Sequence, residues 1–269
     1  MAISILGIIN FLSPKDRASR RLARDVPYGQ ARRQKLDIYA PGKADAPLPV
    51  VFFVYGGSWS DGDRRNYGFV GRALAAQGFV TVVADYRLVP EIEYPGFLAD
   101  CAQAFDWVID NIAHYGGDAQ RVAVMGHSAG AYNALMLVLD PAYLAAKGLL
   151  AHVRCAVGLS GPYDFFPFDG PISLRTFGAV TQPEQTQPIN HVTASAPPML
   201  LASGDKDALV YPRNTVALAA RLRHAGVAAE EVHYPGLGHP GTLMALGRPL
   251  RRIAPVLADV TAYLRRHLG

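Results

Sequence analysis

The sequence is poor in charge, in cysteine and in long apolar runs, and each shortage removes a class of protein. Only 18% of its 269 residues are charged and half are apolar, so the chain can bury a large core and is not disordered. Its two cysteines, Cys101 and Cys155, sit inside apolar patterns without the spacing of a metal site. Both read as buried small hydrophobes and not as a disulfide, which suits a reducing, cytoplasmic setting. No apolar stretch approaches the ~20 residues that span a bilayer, so no transmembrane segment is expected. The net charge of +4 comes mostly from arginine, and it is scattered. The clusters at Arg20, Arg21 and Arg24, at Arg32, Arg33 and Lys35, at Arg251 and Arg252, and at Arg265 and Arg266 are short and lack interleaved aromatics. They read as solvated helix faces, with a phosphate- or membrane-facing patch as the alternative, and no nucleic-acid partner is expected. Without an internal repeat or a linker, residues 1–269 read as one domain.

The first apolar stretch, Ile3 to Leu12, is a special case. No Lys or Arg precedes it, and Ser13-Pro14-Lys15-Asp16 follows where a secretory signal would carry small residues for cleavage. Within an N-terminal extension of residues 1–33, it is expected to form a helix packed on the domain or facing a partner. Weak peripheral membrane contact is the second reading and an atypical signal the third.

What the chain does contain is an alternation of strand and helix patterns. Gln34–Tyr39 alternates as a half-buried strand, and Val50–Tyr55 is a β-branched and aromatic run of the kind covered on both faces. Further strands are expected at 79–84, 121–125, 153–159, 199–203 and 230–234. Helical spacing fills 70–77, 97–114, 129–139 and 214–224, with a closing helix after Arg252. Such alternation predicts an α/β fold, a mostly parallel sheet with helices on both faces. Only residues 161–198 lack clear periodicity. Rich in Pro, Phe and Gln, they are expected to cover an opening, as long irregular segments often do.

Chemistry concentrates in the turns. Gly126-His127-Ser128-Ala129-Gly130 lies directly between an apolar strand and an apolar helix. A serine there sits on a sharp turn, its hydroxyl exposed and the positive helix end facing a developing oxyanion. Serine needs a base. His127 adjoins Ser128 but is expected to point elsewhere, His114 and His224 cap helix ends, His233 falls in a strand pattern and His267 in the final turns. His239 alone lies in a glycine-flanked loop after the last strand, Pro235–Gly241, where an imidazole can reach the carboxyl edge of the sheet. The orienting acid belongs in the loop Gly204–Val210, which offers both Asp205 and Asp207. Asp207 enters an apolar stretch, as a buried acid should, whereas Asp205 beside Lys206 suits a turn-stabilising role. After the strand ending at Tyr55, Gly56-Gly57-Ser58-Trp59 lets backbone N–H groups approach a substrate oxygen. Phe165, Phe166, Phe168 and Phe177 are candidates for an apolar substrate pocket or, equally, for the ordinary core.

Taken together these motifs resemble the bacterial carboxylesterase branch of the α/β-hydrolases, related to hormone-sensitive-lipase-like proteins, feruloyl esterases and kynurenine formamidase. The resemblance runs from about Leu36 to the C-terminus. It rests on Y-G-G-S-W at Tyr55–Trp59, D-Y-R-L at Asp85–Leu88, Y-P-G-F-L-A-D at Tyr94–Asp100, the run from Tyr115 to Ala131, Pro197–Asp207 and the final G-H-P-G. It implies a catalytic triad of Ser128, Asp207 and His239, in the chain order usual for that fold. It also implies Gly57, Ser58 and Ala129 as oxyanion donors, hydrolysis of small carboxylic esters through an acyl-enzyme, and no metal or organic cofactor. An amidase or formamidase on the same triad, and a silent ligand-binding relative, are the alternative functions. Two departures stand out. Tyr55 replaces the histidine that usually opens the oxyanion loop, so the bonding behind that loop must differ. The segment before Leu36 is too short for a large helical cap, so an open site and a preference for short acyl chains are expected.

Overall fold

In the computed structural model, residues 7, 10, 14–44 and 46–269 are described. The expected N-terminal helix over Ile3–Leu12 therefore lies, apart from Gly7 and Asn10, outside the described residues.

Eight strands form one sheet: β1 (Ser19–Pro27), β2 (Lys35–Pro41), β3 (Leu48–Val54), β4 (Val80–Ala84), β5 (Gly117–His127), β6 (Val153–Leu159), β7 (Met199–Gly204) and β8 (Ala229–Tyr234). Their spatial order is β1-β2-β4-β3-β5-β6-β7-β8. β1, β2 and β4 pair antiparallel, and every other pairing is parallel. The parallel strands are the apolar runs of the sequence. Val51 to Val54 of β3 and all of β4 are buried, because helices cover both faces.

The flanking helices are α1 (Gly68–Ala75), α2 (Gly96–Asn111), α3 (Ala129–Leu139), α4 (Pro171–Phe177), α5 (Arg213–His224), the single turn α6 (Gly241–Met244) and α7 (Val256–Leu268). Every residue of α3 is buried and all but Tyr132 and Asn133 are wholly apolar, whereas α5 and α7 keep an exposed face that carries their arginines. Strand order reverses at β3, whose neighbours are β4 on one side and β5 on the other. Loops leaving the carboxyl ends of β3 and β5 diverge there and open a crevice, the usual ligand position in such sheets.

Three features depart from the sequence-based expectation. β1 carries Arg20, Arg21, Arg24 and Asp25 and two register shifts against β2, which removes the alternation that marks a strand. Charged residues on an edge strand oppose pairing with another chain, so this arginine cluster belongs to a sheet edge and not to a helix face. Arg32 and Arg33 also leave the helix-face assignment, since they lie in the β1–β2 connection; of the four basic clusters only that at Arg265 and Arg266 rides on a helix, α7. Third, residues 161–198 contain α4 and two short 3₁₀ turns, 183–186 and 188–191. Each is too short to display a helical period. The segment is tied down by Asn214, whose Oδ1 accepts the N–H groups of Tyr163 and Asp164, and by Phe177, which is fully buried against Trp59 with ring centroids 4.9 Å apart.

Candidate active site

Ser128 sits between the last residue of β5 and the first of α3, with φ 56° and ψ −128°. A non-glycine residue held there stores roughly 1–3 kcal/mol of backbone strain, and its neighbours explain how the turn is so tight. A Cβ on Gly126 would fall 2.2 Å from the Gly130 carbonyl oxygen, and one on Gly130 would fall 2.2 Å from that of Val54. Both glycines of the motif are therefore required by close backbone packing. The turn leaves the Ser128 hydroxyl 2.8 Å from His239 Nε2, and His239 Nδ1 lies 2.8 Å from Asp207 Oδ2. Three residues far apart in sequence thus form one hydrogen-bonded chain.

Asp207 is buried, and burial works against its charge. The bond to His239 and the backbone N–H groups of Val210 and Leu209, 2.8 and 3.1 Å from Oδ1, outweigh that penalty and hold the carboxyl below its ordinary range. Asp205 is exposed and accepts the Gly236 N–H at 2.7 Å. It ties the loop after β7 to the loop after β8 and does not touch His239. The two acids share one loop and are separated by what they bond.

His127 does not point away, as expected, but towards the site. Its Nε2 is 3.1 Å from the His239 carbonyl oxygen, and the two rings are 5.1 Å apart. Burial, reinforced by neighbouring His239, pushes its pKa down to about 3, so it stays neutral and can donate to that carbonyl. The contact spans 112 positions of sequence, and no local pattern announces it.

The loop after β3 holds three consecutive positive φ values: Gly57 133°, Ser58 53° and Trp59 56°. Glycine tolerates this freely, whereas Ser58 and Trp59 are strained. Trp59 is fixed by a 3.1 Å bond from its indole N–H to Asn133 Oδ1. Among the described residues the backbone N–H groups of Gly57, Ser58 and Ala129 have no acceptor. Ala129 is the first residue of α3, where helix geometry leaves the N–H free. Tyr55, standing where histidine is usual, is fully buried. Its hydroxyl donates to Asp85 Oδ1 at 2.5 Å and accepts from Arg33 at 2.8 Å. Asp85 also receives Arg64, which bridges to Asp37 and Asp25. Arg33, expected on the solvated surface, is instead part of this buried charged network.

Two chambers meet at Ser128, Ser58 and Leu209. One, of about 340 Å³, is lined by Trp59, Phe165, Ile172 and Val210, with Asp169 also on its wall. The other, of about 210 Å³, is lined by Gly56–Ser58, Asp61, Asn66 and Tyr67 and contains His239. Of the four candidate phenylalanines only Phe165 lines either chamber, sharing the larger one with Ser128. Phe177 is core, Phe168 packs on Phe177 at 5.7 Å, and Phe166 is exposed.

A second serine–histidine–acid chain shows that spacing alone is not a site. Ser203 Oγ is 2.8 Å from His233 Nδ1, whose Nε2 is 2.8 Å from Glu231 Oε1. Ser203 is buried in β7, opposite His233 in the sheet, and borders neither chamber. At 1% exposure its hydroxyl is closed off from a substrate.

A mostly parallel sheet, helices on both faces and a Gly-x-Ser-x-Gly turn between β5 and α3 define an α/β-hydrolase fold. Residues 36–222 match the BD-FAE family, and the chain belongs to it. It is 29% identical over 255 residues to an isoprenylcysteine alpha-carbonyl methylesterase of Arabidopsis thaliana, covering 87% of this chain and 59% of the relative. It is 33% identical to esterase LipC of Mycobacterium tuberculosis, covering 80% and 59%. The chain thus spans about three-fifths of the length of these curated relatives. A thermostable esterase from Pseudomonas putida superposes with a TM-score of 0.81 at 25% identity, covering 98% of this chain and 88% of that one. A bacterial heroin esterase shares the fold at 22% identity and a TM-score of 0.75, covering 94% and 86%. Among the described residues no helix is long and apolar enough to cross a membrane.

Proposed function

We propose that this protein is a serine carboxylesterase acting on small esters through Ser128, His239 and Asp207. The observation that carries the reading is His239, bonded at 2.8 Å to Ser128 on one side and to Asp207 on the other. His239 accepts the Ser128 proton as the hydroxyl attacks the ester carbonyl. Asp207 fixes the imidazole tautomer and stabilises the imidazolium. The N–H groups of Gly57, Ser58 and Ala129 receive the oxyanion, His239 protonates the departing alcohol, and water then releases the acyl group.

The leaving oxygen must lie beside His239, so the 210 Å³ chamber receives the alcohol and the 340 Å³ apolar chamber the acyl group. That acyl chamber is small among ligand cavities, roughly 300–1,000 Å³, and residues 161–198 wall it through Phe165, Asp169 and Ile172, which favours short acyl chains over long lipid chains; about two to six carbons is the proposed range. The buried free cysteines Cys101 and Cys155 support a cytoplasmic location. Hydrolysis of p-nitrophenyl acetate tests the reading. Ser128→Ala is expected to lower kcat at least ~10³-fold with the fold intact, and near-parent turnover in that variant would overturn it.

A further inference from the structure

Resting on the esterase reading, we infer that Tyr67 is a positioning residue for the oxyanion hole. Its hydroxyl fixes the direction of one of the three N–H donors. In a trans peptide unit the C=O and the following N–H point in opposite directions, so whatever holds the carbonyl aims the amide. The unit joining Gly56 to Gly57 is held by the buried Tyr67 hydroxyl, which donates to the Gly56 carbonyl at 3.2 Å. The next unit, joining Gly57 to Ser58, is held by the backbone itself. The Gly57 carbonyl accepts the N–H groups of Ser60 at 3.1 Å and Asp61 at 2.9 Å. The Ser58 donor is thus set by the loop's own turn, and the Gly57 donor depends on a side chain.

Tyr67 can perform this task because it is itself fixed. Its ring stacks on Tyr55 with centroids 4.8 Å apart and planes 18° from parallel, and Tyr55 stacks in turn on Tyr86 at 5.2 Å. The central ring is anchored through its hydroxyl to Asp85 and Arg33. Tyr86 supplies an internal comparison. Its hydroxyl donates at 3.1 Å to the Tyr55 carbonyl, one peptide unit earlier. That unit carries the Gly56 N–H, which is not an oxyanion donor. Two buried tyrosines therefore make nearly matched bonds to adjacent carbonyls, and only one of those bonds aims an amide at the reacting oxygen.

Tyr67→Phe keeps the stacked ring and removes the hydroxyl. Loss of a whole oxyanion donor costs about 10²–10³ in kcat, and a donor that is present but unaimed is expected to cost about 10-fold. For p-nitrophenyl acetate, kcat should fall by that factor with KM within about twofold of the parent. The inhibition constant of a trifluoromethyl ketone, whose serine adduct carries the oxyanion, should rise by the same factor. Tyr86→Phe should change both quantities less than about twofold, although it deletes an equally buried bond. Equal losses in the two variants, or an unchanged ketone affinity in Tyr67→Phe, would overturn the assignment. Full activity in Ser128→Ala would instead overturn the esterase reading beneath it.

Discussion

Replacing Asp207 with Asn exchanges one carboxylate oxygen for an NH₂ group, and the surroundings dictate which way the amide must face. Oδ1 accepts two backbone N–H groups, from Leu209 at 3.1 Å and Val210 at 2.8 Å, while Oδ2 faces His239 Nδ1 at 2.8 Å. An Asn side chain satisfies the backbone pair only by presenting its carbonyl oxygen to them, which turns the NH₂ towards His239. Nδ1 must then accept, so the imidazole proton moves to Nε2, the nitrogen that has to take the Ser128 proton. The geometry stays and the base is lost. A loss of about 10⁴ in kcat is expected, equivalent to about 5 kcal/mol on the barrier. Asp205→Asn is the matched control, because its bond to the Gly236 N–H needs only a carbonyl oxygen, which Asn retains. That variant is expected to stay within about threefold of the parent. Initial rates with p-nitrophenyl acetate, alongside thermal melts to verify folding, decide the matter. A larger loss in Asp205→Asn than in Asp207→Asn would refute the reasoning about this loop, as would an Asp207→Asn enzyme within tenfold of the parent.

A fluorophosphonate probe should label Ser128 and leave Ser203 untouched, although both serines lie 2.8 Å from a histidine nitrogen; peptide mapping of adducts checks it, and a Ser203 adduct would contradict the argument from access. Folding stability should fall on acidification, because unfolded His127 protonates near pH 6.5 while the folded residue resists until about pH 3. The unfolded state therefore binds more protons in that window, and stability should drop by about 1.4 kcal/mol per pH unit below 6.5 from this residue. Urea melts between pH 7 and 4 should show a flatter profile for His127→Asn, and identical slopes in the two proteins would refute this. Across acetyl to decanoyl p-nitrophenyl esters, kcat/KM should peak between two and six acyl carbons. Each methylene that fits adds about 0.8 kcal/mol and later ones find no pocket, so a maximum at octanoyl or beyond would show a deeper channel than the acyl chamber described above.

Much of this architecture is legible from the chain alone, because the information is local. β3 and β4 are continuous apolar runs since both faces are covered, and α3 announces itself by following a Gly-x-Ser-x-Gly turn that only small residues can make. Position after a strand narrows the candidate base to His239 and the candidate acid to Asp205 or Asp207. The tertiary structure decided what depends on the order of strands in the sheet. That order brings the loops after β3, β5, β7 and β8 to one edge, where Asp207 meets His239 and Asp205 meets Gly236. It also turns His127 towards a carbonyl 112 positions away, and folds Arg33 from apparent surface into the charge network behind Tyr55. β1 stayed hidden because an edge strand with two register shifts has no alternation to read. Periodicity reports which face of an element is dry. It carries no record of which distant loop will lie against it, and in this protein those long-range contacts separate Ser128 from the equally well-bonded but inaccessible Ser203.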